Sequence, residues 1–170
     1  MEKKFIIMRG LPGSGKSFLA KKLVGKQGQI FSTDDYWYLE NPEIYNFKIE
    51  KLSLAHEWNR RRVLKAIESL IPVVIIDNTN VTLVDMQYYV RHILLAQKNG
   101  YKVEIREPDS SWAFDIDELL VKNQHNVPRG VIEKMLRKYV RDVTIEDILR
   151  PELLAAMQTT IIDEIIKSFK

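Results

Sequence analysis

The chain has no cysteine, so neither a disulfide nor a thiolate-bound metal holds it together. That absence fits a reducing compartment, and the expectation is an intracellular, cytoplasmic protein. No apolar stretch approaches the roughly 20 residues that a membrane-spanning helix needs, and no membrane partner is expected. The start, "MEKKFIIMRG", has a charged end and an apolar run. That run is about five residues, short of the 7–15 of a secretory h-region, and it leads straight into a glycine loop. Charge of one sign is also scarce. A net +3 suits an anionic ligand but does not by itself mark a nucleic-acid binder. Internal repeats, low-complexity tracts and linkers are missing too.

What remains is a composition that is 45% hydrophobic and 29% charged, over 170 residues. That is enough chain to bury a core without staples. Lys4–Met8 and Val73–Ile76 are continuous apolar runs that read as strands buried on both faces, with Gln29–Ser32 and Tyr101–Arg106 as two more. Helical spacing runs over Lys16–Lys26, Lys48–Leu70 and Leu83–Asn99, and again from Asp115 onward with a break at Asn126–Pro128. Strands alternating with helices predict an α/β fold, a parallel sheet flanked by helices. One domain over 1–170 is expected, with a basic helical lid at about 122–141 and a helical C-terminal end at about 144–170.

Three of the seven glycines lie in "GLPGSGKS", Gly10 to Ser17. This matches G-x-x-x-x-G-K-[ST] in full and sits between a strand and a helix. Glycines at 10, 13 and 15 let several N–H groups turn inward, and the following helix adds its positive end. The candidate ATP-binding residues are Gly10, Pro12, Gly13, Ser14, Gly15, Lys16, Ser17 and Phe18. Lys16 is the cation for the β/γ oxygens, and the Ser17 hydroxyl is a ligand for Mg²⁺. Asp77, directly after the best strand, is the second candidate metal residue. Asn78, Thr79 and Asn80 beside it suit an acceptor contact or an Asx-turn with a helix cap.

"FSTDDYWY", Phe31 to Tyr38, follows the second strand and emerges on the same rim as the loop. A hydroxyl that attacks a phosphate needs a proton acceptor, and Asp34 is the candidate base. Asp35 is read both as a helix cap and as an acceptor contact; the competing reading makes both aspartates caps. Trp37 and its tyrosine neighbours offer rings on which a base can stack, or they cover the core. In "KNQHNVPRGVIEKMLRKYVR" the arginines 129, 137 and 141 are candidates for the transferring group, with Arg129 first because it follows the break. The alternative is a solvated helix face. His56 is read as structural or as an acceptor contact, and "RRR" at Arg60–Arg62 as surface.

Taken in order, "RGLPGSGKS", "FSTDDYW", "AHEWN", "IIDNTN", "REPDSSWAFD", "KNQHNVP" and "IEKML" resemble the P-loop polynucleotide kinase family, within it the branch of the Nedd-four-binding proteins. The resemblance runs from about Phe5 to Val143. It implies an adenylate-kinase-like fold, ATP and Mg²⁺, and transfer of the γ-phosphate to a 5′-hydroxyl end of DNA or RNA. It also implies that Asp34 is the general base, that Asn78 and Thr79 lie at the acceptor end, and that the segment after Asn123 is the lid. Trp37 stands where phage-type kinases carry an arginine for the acceptor 3′-phosphate, and Asn78 where they carry an aspartate. The competing functions are a kinase of a small hydroxyl compound and a nucleotide-binding interaction module.

Overall fold

The computed structural model describes residues 2–150. Four strands form one sheet: β1 (Lys3–Met8), β2 (Gly28–Phe31), β3 (Val73–Asp77) and β4 (Tyr101–Arg106). Their order is β2–β3–β1–β4 and every pairing is parallel. Register aligns Met8 with both Asp77 and Arg106, and Phe31 with Ile76. All four strands therefore deliver their following loops to one edge, the usual place for a ligand in such a sheet.

Alternation along the strands builds two cores. Phe5, Ile7, Val74 and Ile76 face a layer made from α2 (Leu52–Glu68), α3 (Leu83–Gln87), α4 (Val90–Lys98) and the short α7 (Ile145–Ile148), with Val63, Ile67, Met86, Ile93 and Ile148 filling it. Ile6, Met8 and Ile75 face α1 (Lys16–Leu23) through Ala20, Leu19 and Leu23. Each fully buried aliphatic side chain is worth about 1.5–3 kcal/mol over exposure. A third cluster lies beyond the sheet edge, where Leu11 of the glycine loop packs on Leu119 of α5 (Ile116–Lys122) and Ile132 of α6 (Arg129–Lys138).

The differences from the sequence reading are local. The helix expected over Leu83–Asn99 is two helices, because the Tyr89 N–H bonds to Met86 at 2.9 Å and tightens the chain by a residue. That turn buries the Tyr89 ring. Thr82 and Asp85, and not Asn80, make the capping box that starts α3. The long helix starts later than Lys48, after a 3₁₀ turn at Ile49–Lys51. The aspartate segment is a 3₁₀ helix, Thr33–Tyr38, capped by Ser32. Within the expected C-terminal helix only α7 falls in the described residues; 151–170 lie outside them.

Candidate active site

Lys16 opens α1, and its side chain folds back so that Nζ donates to the Leu11 carbonyl at 2.9 Å. The ammonium thus arches over the loop. Burial pushes its pKa down, and the carboxylates of Asp77 and Asp34 pull it back up. The turn beneath it has no room for a side chain: a Cβ on Gly13 would lie 2.4 Å from the Leu119 carbonyl oxygen, at φ +81°. Gly15 caps α1 in the left-handed region, and the first turn of α1 carries no acidic residue. The positive end of that helix is left open to an anion. Ser14 is buried and its hydroxyl has no partner. Pro12 and Ser17 complete the loop surface, whereas the Phe18 ring points to solvent, 66% exposed, with Lys22 over it.

Asp77 ends β3 beside Met8 at 8% exposure. Burial raises its pKa; the Ser17 hydroxyl and Lys16 lower it, while Asp34 and Asp35 raise it further. Its Oδ1 is buried without a hydrogen-bond partner. An orphan carboxylate oxygen beside a serine hydroxyl fits Mg²⁺, which takes one or two protein oxygens and completes its shell with waters and phosphates. No group of three or more His, Asp or Glu side chains collects among the described residues, so an all-protein metal cage is not offered there.

The two aspartates are divided by their surroundings. Asp35 accepts from the Ser32 backbone N–H at 3.4 Å and from Arg62 Nη1 at 3.0 Å. It fastens the 3₁₀ helix to itself and to α2. Asp34 faces the other way: Tyr45 donates to its Oδ1 at 2.9 Å, and Nε2 of His125 lies 3.5 Å from its Oδ2. Burial raises the Tyr45 phenol, and Asp34 raises it further, so Tyr45 stays a donor. Asn78 supports this helix from below, accepting from the Thr33 N–H at 3.0 Å and donating to the Tyr89 hydroxyl at 2.8 Å. His56 bonds Thr33 Oγ1 through Nδ1 at 3.2 Å, and burial holds its pKa down.

Four readings need correction. Trp37 is only 3% exposed, packed edge-on against Tyr36 and Phe47, so it belongs to the core and offers no stacking face. Asn80 is buried, donating to the Met8 carbonyl at 2.8 Å while its own carbonyl accepts from Arg9. Its neighbour Thr79 accepts from the Gly10 N–H at 3.0 Å; both residues brace the loop's root. Arg129 is exposed at the start of α6 and paired with Asp117 and Glu133, so its charge is already answered. Arg62 is not free surface, since it reaches Asp35 and lies 4.1 Å over Trp58. Arg141 stacks on Phe114 at 4.0 Å.

Three residues escaped the sequence reading. Arg9 is fully buried, and its guanidinium donates to the carbonyls of Asn80, Val81 and Val140 and to Glu107 Oε1. A buried charge needs that many partners, and here they tie the strand before the loop to both ends of the rim. The other two are Tyr45 and His125, with rings stacked 4.4 Å apart.

A family model described as "AAA domain" matches residues 5–141. The chain belongs to that family. This AAA domain, a P-loop kinase domain, is 45% identical over 146 residues to human NEDD4-binding protein 2, covering 85% of the chain and 8% of that protein. It is 27% identical over 137 residues to the rat 2′,3′-cyclic-nucleotide 3′-phosphodiesterase, covering 78% of the chain and 30% of that protein. The chain thus spans a small part of the curated relatives it matches. Among solved structures, one chain of the Pnkp1/Rnl/Hen1 RNA repair complex superposes with a TM-score of 0.59 at 18% identity, over 81% of this chain and 44% of that one. At that identity the likeness is one of fold. No helix among the described residues is long and apolar enough to cross a membrane.

Proposed function

We propose that this P-loop kinase domain transfers the γ-phosphate of ATP to the 5′-hydroxyl end of a polynucleotide, DNA or RNA. The observation that carries the reading is a glycine loop arched over by Lys16, at the same sheet edge as two acids of different surroundings: Asp77, with Oδ1 unpartnered, and Asp34, held by Tyr45. Gly10, Gly13, Gly15 and the open end of α1 hold the phosphates, with Lys16 across the β/γ oxygens. Ser17 and Asp77 would hold Mg²⁺, which would supply neutralisation of the charge on those oxygens.

Asp34 has one oxygen committed to Tyr45 and the other approached only at 3.5 Å, by His125 Nε2. It takes the proton of the acceptor hydroxyl as that oxygen bonds to the γ-phosphorus. The bond from the γ-phosphorus to the bridging oxygen breaks, and ADP leaves with the electron pair. A positioned base of this kind is worth roughly 10²–10⁴-fold in rate. Asp35 and Asn78 act through the 3₁₀ helix and not on the acceptor. Arg129 joins the transferring group only by leaving Asp117 and Glu133, which a closing lid would require. The occurrence of this fold in a chain of an RNA repair complex favours a nucleic acid as acceptor. An intracellular, cytoplasmic site of action and a single domain over 1–170 belong to the same reading.

The test is incubation with γ-labelled ATP and a panel of 5′-hydroxyl oligonucleotides, DNA and RNA, alongside nucleosides. Label on the oligonucleotides supports the reading. Label on the nucleosides alone replaces it with a small-molecule kinase, a rival that the core position of Trp37 in place of a phosphate-binding arginine keeps in view. ATP binding without any transfer makes the domain an interaction module.

A further inference from the structure

Resting on the kinase reading, we propose that Tyr45 is the platform on which the terminal base of the acceptor stacks, and that His125 holds its place until the acceptor arrives. Base stacking needs a flat ring within reach of Asp34. Trp37 is excluded by burial, and Tyr38 reaches only the edge of Tyr45, tilted at 5.5 Å. Tyr45 sits in the irregular segment between the 3₁₀ helix and α2, half-buried, with its hydroxyl on Asp34.

The face of its ring is covered by the His125 imidazole, 4.4 Å away and inclined by 23°. The same imidazole directs Nε2 at Asp34 Oδ2 from 3.5 Å. An aromatic ring on Tyr45 together with a polar group at Oδ2 is the pair of contacts that a terminal nucleoside would make, base on the ring and hydroxyl at the base catalyst. His125 therefore occupies both halves of the acceptor's position.

Its hold is weak enough to yield. At 3.5 Å the Nε2–Oδ2 approach is longer than a good hydrogen bond. The turn that carries it is fixed from its own side: the His125 N–H bonds Asn123 Oδ1 at 3.2 Å, Asn123 Nδ2 bonds the Val127 carbonyl at 2.9 Å, and Asn126 sits at φ +51°. None of those bonds involves Tyr45 or Asp34, so the turn parts from them with its own hydrogen bonds intact. A competitor that must be displaced lowers apparent affinity by the fraction of time the site is free.

The experiment measures binding of a short fluorescent 5′-hydroxyl oligonucleotide with a non-hydrolysable ATP analogue and Mg²⁺, and phosphoryl transfer to the same oligonucleotide in parallel. His125→Ala should tighten binding several-fold. Tyr45→Ala should weaken it by roughly 5- to 100-fold, the usual worth of one stacked base. Tyr45→Phe should bind like the parent yet turn over more slowly, because the ring stays and the bond to Asp34 goes. Unchanged or weaker binding by His125→Ala overturns the proposal, as does parental binding by Tyr45→Ala. If the parent transfers phosphate and His125→Ala does not bind more tightly, the place-holder falls and the kinase reading stands. If binding tightens and no phosphate is transferred, the place-holder stands and the kinase reading falls.

Discussion

Asn78 accepts from the backbone N–H of Thr33 at 3.0 Å, so the loop after β3 fixes the start of the helix that presents Asp34. Its amide donates in turn to Tyr89, whose ring is in the core. Replacing Asn78 by Ala leaves a buried phenol and a backbone N–H without partners. We expect a loss of about 1–3 kcal/mol in a urea titration. Turnover should also fall, with the KM for ATP unchanged, since Asp34 moves and the glycine loop does not.

Lys16→Ala removes the cation that arches over the loop. It should abolish transfer and weaken ATP binding, both readable in a filter-binding and single-turnover pair. Asp34→Asn should keep ATP affinity and lose about 10²–10⁴-fold in turnover. Asp35→Asn should instead lower the thermal midpoint, because it loosens the cap and the Arg62 pair. If these two variants exchanged phenotypes, the base would be the second aspartate.

Arg9 carries the heaviest buried polar arrangement of the rim. Arg9→Met strands Glu107 and several carbonyls, at a cost of about 3–5 kcal/mol. Limited proteolysis should then cut first near Tyr139–Arg141, where the Val140 carbonyl has lost its donor.

His92 is buried, donates from Nε2 to the Arg60 carbonyl at 2.9 Å, and has its Nδ1 unpartnered. Burial lowers its pKa from 6.5 to about 4. The unfolded chain takes up the proton near pH 6.5 and the folded one does not. The stability from the neutral ring is therefore complete above pH 6.5 and is lost as pH falls toward 4, by about 3 kcal/mol. Chemical denaturation of the parent and of His92→Gln at a series of pH values should show the variant with the shallower acid slope; parallel curves would contradict this.

The parts of the site that sequence revealed are those made by neighbours along the chain. A glycine loop after an apolar run needs only its own spacing, and the "VVIID" strand needs only its hydrophobicity. That Asp35 caps the 3₁₀ helix was legible because a cap is a local bond. Trp37 was misread because its burial depends on Phe47, which a separate segment folds over it. Tyr45 and His125 gave no signal, since 80 residues separate two rings that only the folded chain brings together. Arg9 looked like the polar end of a strand; its hydrogen-bond partners come from three other segments. The break at Tyr89 was hidden by an unbroken helical period.

The glycine loop also has an optical consequence. The Trp112 indole N–H donates to the Gly13 carbonyl at 3.2 Å, and Ser110 holds the Ser14 carbonyl at 2.8 Å. Phosphates drawn into the loop pull on those same peptide units, so the electric field at one indole changes with nucleotide occupancy. Trp37 is sealed in the core and Trp58 lies under Arg62, both away from this hydrogen bond. The protein carries its own emitter at the nucleotide loop, and a Trp112→Phe variant supplies the blank against which its colour can be read.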